Sequence, residues 1–245
     1  MNFLLLLTLA IYHYVPGIEC QDFKVCMDQL PKGKVVATTV FLADIAEYAA
    51  MNKVYELYFP GLKPARNTVA VKLPLGIRMA INATIYDGPG EVRGLTPPNV
   101  TNIVPITPAI STPDRLFIAG ILGRDSNSGQ IPNTPQAQVD MCLSRLTKVL
   151  ATASLNPSDM LQATVYHSAE IPRDLIDRSL KAYFGVKAII ALTILEVPAL
   201  ALGAKIGLNG VALFLPTSAS KRNSDANPVL FLWASPKALQ RKDLQ

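Results

Sequence analysis

The apolar and polar positions repeat one order of elements. Residues 35–42 are β-branched and aromatic enough to predict a strand, and Asp44 with Glu47 three residues later reads as a D-x-x-E helix opening. Tyr48, Met51, Tyr55 and Tyr58 recur at helical spacing, so one stripe of that helix faces a core. Gly61 and Pro64 end the helix, residues 68–72 suit a second strand, and Pro74-Leu75-Gly76 turns the chain. Residues 77–86 alternate. Ile77, Met79, Ile81, Ala83 and Ile85 take one face, and Arg78, Ala80, Asn82, Thr84 and Tyr86 the other.

Asp87-Gly88-Pro89-Gly90 and Pro97-Pro98 break the periodicity, which makes 87–104 a connection. Beyond it, 116–122 suit a strand, 124–129 a loop, and Thr134-Pro135 a helix cap with proline at the first helical position. Val139, Cys142, Leu143, Leu146, Val149 and Leu150 keep helical spacing, so Cys142 reads as a core residue rather than a nucleophile. The segments 161–167, 172–184, 189–196 and 204–214 then give strand, helix, strand, strand again. Sliding the chain by about 125 residues lays Thr39-Val40-Phe41 on Thr164-Val165-Tyr166, Tyr58-Phe59 on Tyr183-Phe184 and Val71 on Glu196. The chain therefore divides into an apolar N-terminal segment 1–33, a partial unit 34–90, a complete unit 91–215 and a polar tail 216–245, in which 229–234 could add an edge strand.

Composition narrows the classes. Half of the 245 residues are apolar, enough for a packed core, and the net charge is +5. No run of Lys or Arg exceeds two and aromatics do not interleave with them, which argues against a nucleic-acid partner. Cys20, Cys26 and Cys142 form no C-x-x-C pair, and with only His13 and His167 no metal cluster is expected. No Gly-rich phosphate loop, Ser-His-Asp pattern or dinucleotide fingerprint occurs. His167 and Glu170, at a strand-to-helix junction, read as capping or solvated groups. The apolar run 3–11 is too short to span a bilayer. It reads either as a secretory leader, with Val15-Pro16-Gly17 as a processing site, or as a buried element of a cytoplasmic protein.

The stretch TTVFLADIAEYAAMNKVYELYF followed by PARNTVAVKLP resembles the C-terminal half of the RidA family, also called YjgF or L-PSP. LFIAG, the SGQIP turn and the run QAQVDMCLSRLTKVLATASLNPSDMLQATVYH resemble its N-terminal half. The resemblance covers one whole domain over roughly 105–214 and half a domain over 34–86. It implies an α+β fold, a chorismate-mutase-like sheet with helices packed on one side, in one and a half copies. It further implies a homo-oligomer, typically a trimer, that hydrolyses reactive imino and enamino acids without a cofactor.

By that resemblance Arg66, in the PAR turn, holds the carboxylate of a small metabolite at the lip of a cleft between subunits, its planar fork giving two parallel hydrogen bonds. Asn52 matches the helix asparagine near that cleft. Where active members carry a glutamate that helps activate water, this chain has Ala80, and Asn82 nearby is no acid or base near neutral pH. In the second copy the PAR position reads Lys187-Ala188-Ile189, the glutamate position Gly207, and the asparagine Asp177; the tyrosine expected after Pro108-Ala109-Ile110 is also missing. Two functions follow: a RidA-like enamine/imine deaminase, a hydrolase acting on 2-iminobutanoate-like acids through Arg66, or a RidA-fold binding or structural module without turnover. Tandem RidA-like units also sit behind the ATP-binding domain of diphthamide ligases, but no ATP-binding motif is seen here.

Overall fold

The computed structural model describes residues 12–30, 33–74, 76–100, 103–186 and 188–214. The apolar run 3–11, Lys187 and the tail 216–245 lie outside them. The first unit runs β1 (Tyr12–Cys20), α1 (Phe23–Asp28), β2 (Lys34–Leu42), α2 (Tyr48–Tyr58), β3 (Ala65–Ala70) and β4 (Met79–Tyr86). The connection carries β5 (Arg93–Leu95). The second unit runs β6 (Ala109–Ser111), β7 (Arg115–Leu122), α3 (Pro135–Thr152), β8 (Met160–His167), α4 (Arg173–Phe184), β9 (Ala191–Glu196), β10 (Ala199–Leu200) and β11 (Ile206–Leu213).

The class is α+β, with two sheets ordered β1-β4-β2-β3-β10 and β5-β6-β7-β11-β8-β9. Within them β1-β4-β2-β3 and β7-β11-β8-β9 share order and sense: two antiparallel pairs, then a parallel one. The repeat is thus one of topology. Residues 12–28, left by the sequence reading in an N-terminal segment, form the front of the first unit: β1 pairs along β4, and α1 stands where the second unit has α3. This front is shortened, because α1 has 6 residues against 18 in α3.

Local chemistry explains the helix starts. Asp44 caps a short 3-10 turn by accepting from the Ala46 N–H at 2.9 Å, and α2 follows. Glu47 does not close a capping box; its Oε1 accepts from Arg78 Nε and Nη2 at 2.9 and 2.6 Å. Thr134 accepts from the Ala137 N–H at 3.2 Å, with Pro135 opening α3. Helices cover one face of each sheet. Val40, Leu42, Met79 and Ile81 pack on Met51 and Tyr55 of α2, while Cys142, Leu146 and Leu150 of α3 pack on β7, β8 and β11. Each such buried aliphatic side chain is worth about 1.5–3 kcal/mol.

The opposite faces of the two sheets meet. Val36, Ala65 and Tyr86 pack against Ile110, Phe117 and Ala119, and Val69, Phe41 and Val71 against Leu122, Tyr166 and Leu195. Residues of β10, from the second unit, also hydrogen-bond to β3 of the first. Gly120 of β7 lies at this seam, where a Cβ would stand 2.5 Å from Asn67 Oδ1 of β3. The absence of a side chain there lets the two units close on one another.

Candidate functional site

The seam opens into a cavity of about 760 Å³. One wall is Tyr48 with Arg66, Asn67 and Thr68 of the first unit. The facing wall is the end of β7 and its loop (Ile121, Leu122, Arg124, Asp125) with Met141, Ser144, Arg145 and Lys148 of α3. The connection closes a third side through Pro97, Pro98, Ile103 and Pro108. Asn127 Nδ2 ties the β7 loop to the connection, donating to Asn99 O at 2.9 Å.

Arg66, second residue of β3, pairs with Thr38 of β2 and extends on the face that carries α2. It is 2% exposed. It sits deeper than the expected lip, because α2 folds over it. Nη2 donates to Asn52 Oδ1 at 2.6 Å and to the Tyr48 hydroxyl at 3.3 Å, and Nη1 reaches Met51 Sδ at 3.8 Å. The guanidinium lies 4.5 Å from the Tyr55 ring centroid and 5.6 Å from that of Tyr48. The Tyr55 hydroxyl is itself tied to Thr38 Oγ1 at 2.8 Å, and burial pushes its pKa up to about 12, so the ring stays neutral.

These partners steady the charge without cancelling it. Among the described residues no carboxylate lies within ion-pair distance of Arg66. Aromatic faces and an amide oxygen offset part of the cost of burying a cation. Beside Arg66, Asn67 Nδ2 and Thr68 Oγ1 are buried without a hydrogen-bond partner among the described residues, and both residues belong to the cavity wall. Asn52 does not line it; its amide holds the guanidinium in place.

Ala80 lies elsewhere. Met79 and Ile81 on either side of it pack toward α2, so Ala80 and Asn82 point to the face opposite Arg66; neither is among the residues that line the cavity. In the second unit Gly207 lies opposite Tyr166 as Ala80 lies opposite Phe41, which matches the expected correspondence. The arginine correspondence shifts. Thr38 pairs with Arg66, and its counterpart Ala163 pairs with Leu192, so Leu192 takes the place of Arg66 in the sheet. Ile189 precedes β9 and is 67% exposed. Three residues of extended chain separate the two assignments, a register that sequence spacing cannot fix. Either residue is apolar.

His167 is buried, with Nδ1 against the Ser168 carbonyl at 3.0 Å, and Glu170 pairs with Lys205; neither lines the cavity. Cys142 lies behind the α3 wall, its Sγ against Ile121 O at 3.2 Å, and burial pushes its thiol up to about 12, which makes it inert packing. Among the described residues no group of three or more His, Cys, Asp or Glu is placed to hold a metal ion. Tyr48, Asn67, Thr68, Arg124, Arg145 and Lys148 were not singled out from the sequence. Their only signal is adjacency to Arg66, or a polar face on α3 that reads as solvated.

A family model described as Endoribonuclease L-PSP matches residues 21–86 and 99–214, most of the chain and both units. The chain belongs to this family, the one also called RidA or YjgF. Its L-PSP segments are similar to the 2-iminobutanoate/2-iminopropanoate deaminases of Rattus norvegicus (45% identity over 62 residues, 25% of this chain and 45% of that protein) and Mus musculus (45% over 85 residues, 31% and 63%). Protein HMF1 of Saccharomyces cerevisiae is 51% identical over 51 residues, covering 20% and 40%. The matches thus span between 40% and 63% of these relatives' lengths. Among solved structures, the Rid-family protein YyfA from Yersinia pestis aligns with a TM-score of 0.48 at 20% identity, covering 51% of this chain and all of that one. Escherichia coli TdcF with bound serine aligns at 0.43 and 18%, covering 47% and 93%. Among the described residues no helix is long and apolar enough to cross a membrane.

Proposed function

We propose that this L-PSP chain binds a small 2-imino or 2-enamino acid in the seam cavity and hydrolyses it to the 2-oxo acid and ammonia. The observation that carries the reading is Arg66: a buried guanidinium on the cavity wall, free of any carboxylate partner among the described residues and flanked by unpartnered polar atoms of Asn67 and Thr68. Its fork takes the substrate carboxylate, and Asn52 and Tyr48 position it. Water adds to the imine carbon to give a carbinolamine. The nitrogen then takes a proton and leaves as ammonia while the C=O forms. The deaminase names of the mammalian relatives agree with this reading.

The alternative, a binding module without turnover, is favoured by the other wall. Asp125 is the only carboxylate lining the cavity among the described residues, and its Oδ1 accepts from the backbone N–H of Ser128 and Asn127 and from the Ser128 hydroxyl. These hydrogen bonds hold its carboxyl below the usual range, so it is a weak base. We read the seam cavity as the counterpart of the family's inter-subunit cleft; oligomerisation is part of the proposal.

The test generates 2-iminobutanoate in the presence of the protein or of Arg66→Ala and follows ammonia release. Acceleration over the spontaneous rate that falls at least about tenfold in the variant supports the deaminase. Spontaneous rates throughout, with Arg66-dependent binding of 2-oxobutanoate, leave the binding module. Neither turnover nor binding overturns both.

A further inference from the structure

The cavity carries more positive charge than one carboxylate uses. Arg66, Arg124, Arg145 and Lys148 line it against the single carboxylate of Asp125. Three of those cations belong to the second unit and Arg66 to the first. Met141, Ser144, Arg145 and Lys148 follow helical spacing, so one face of α3 is turned to the cavity.

That wall is built rather than incidental. Arg145 Nη1 donates to both Leu122 O and Arg124 O at 2.9 Å, which fixes the guanidinium against the end of β7. Burial lowers its pKa from the ordinary guanidinium value, the mark of a cation held partly out of water. Arg124 Nη2 is anchored to Gly129 O at 3.1 Å, while its buried Nε has no hydrogen-bond partner in the protein. None of Arg124, Arg145 and Lys148 has a carboxylate within ion-pair distance among the described residues. Like charges held together in a concave, partly desolvated wall raise the local potential and draw anions. A volume of about 760 Å³ also exceeds what a three- or four-carbon acid fills.

We propose that the ligand of this cavity is a dianion: a 2-imino or 2-oxo acid whose first carboxylate meets Arg66 and whose far end carries a second carboxylate, received by Arg145 and Lys148 with Arg124 beside them. This rests on the reading that Arg66 binds the first carboxylate. The first unit then supplies recognition of the reacting end, and the second unit sets chain length and charge.

The experiment is titration calorimetry on the full chain with 2-oxoglutarate and 2-oxobutanoate, for the wild type, Lys148→Ala, Arg145→Gln and Arg66→Ala. The wild type is expected to bind 2-oxoglutarate about tenfold or more tightly than 2-oxobutanoate, with the preference shrinking as salt is raised. Lys148→Ala removes an exposed side chain that the fold does not use, and it should reduce that preference to under about threefold. Arg145→Gln should do the same, but it also loosens the end of β7, so Lys148→Ala decides. Arg66→Ala should weaken both acids. Equal affinity for the two acids in the wild type, or a preference that survives Lys148→Ala, overturns the dianion while leaving the Arg66 reading standing. Binding of neither acid removes both.

Discussion

The two units of this L-PSP chain share a strand order, and one row of the sheet separates them chemically. Where the first places Arg66 beneath α2, the second places Leu192 beneath α4. The first unit keeps a buried cation with no carboxylate partner among the described residues. The second replaces it with an apolar side chain, keeps a larger core and lends its β7 end and α3 as the facing wall. Fold retention and site retention are therefore separable within one chain. Packing constrains volume and hydrophobicity along the whole sheet, whereas the proposed site depends on a charge at one position.

The substitution that makes the first unit resemble the second breaks the difference most directly. Arg66→Leu should weaken binding of a 2-oxo acid by about 3 kcal/mol, roughly a hundredfold, as charged hydrogen bonds are lost. It should leave the thermal midpoint unchanged or raised, since a buried unpaired charge goes with it. Calorimetry and thermal unfolding read the two effects. A large loss of stability would mean that Arg66 is structural.

Next in size is the seam. Gly120→Val would drive a side chain into Asn67, whose Oδ1 is 2.5 Å and Cα 3.4 Å from the Cβ position. Overpacking of this kind costs about 1–3 kcal/mol, measured by denaturant unfolding, and should displace Asn67 from the cavity wall. If the units were independent, the same change would be neutral.

Much of this was legible beforehand. The strand at 77–86 announced itself by alternation, that at 35–42 by its β-branched and aromatic residues, and α3 by its cap and apolar stripe. The rest was not, for identifiable reasons. Residues 12–20 were left in the unassigned segment 1–33, next to an apolar run, 3–11, that suits a leader and a buried element alike. The counterpart of Arg66 was placed at Ile189 because the turn before β9 carries no signal that fixes its register. Ala80 was read as part of the Arg66 site, yet strand parity puts it on the other face. The cationic wall was invisible because Arg124, Arg145 and Lys148 are scattered in sequence and meet only when the two sheets pack.

A smaller effect separates the units by pH. Folding raises the Cys142 thiol from 9.0 to about 12 through burial. Such a group holds its proton longer in the folded chain, so its contribution is complete below the unfolded value and is lost as pH rises from about 9 toward 12. At pH 10 that loss is roughly 1 kcal/mol. Cys142→Ala should flatten the stability profile between pH 9 and 10, with Cys26, raised by burial and by Cys20, supplying residual slope from the first unit. Tyr55→Phe should alter the profile only above pH 10, because its value runs from 10.0 to about 12. Unfolding midpoints across that range check both.

Leu192→Arg is the converse of the first substitution, and its expected effect is the smallest. It places a guanidinium in the second unit's sheet at the position Arg66 holds in the first. The counterpart of Asn52 there is Asp177, a carboxylate already paired with Arg173 at 3.2 Å. A new guanidinium would compete for that carboxylate instead of remaining free for a ligand, and Leu192 is not among the residues that line the cavity. Ligand stoichiometry should therefore stay at one per chain in calorimetry, with affinity changed less than about threefold. A second bound equivalent would show that a guanidinium in this sheet row suffices for a site. A single equivalent would show that the amide of Asn52 and a facing unit are needed as well.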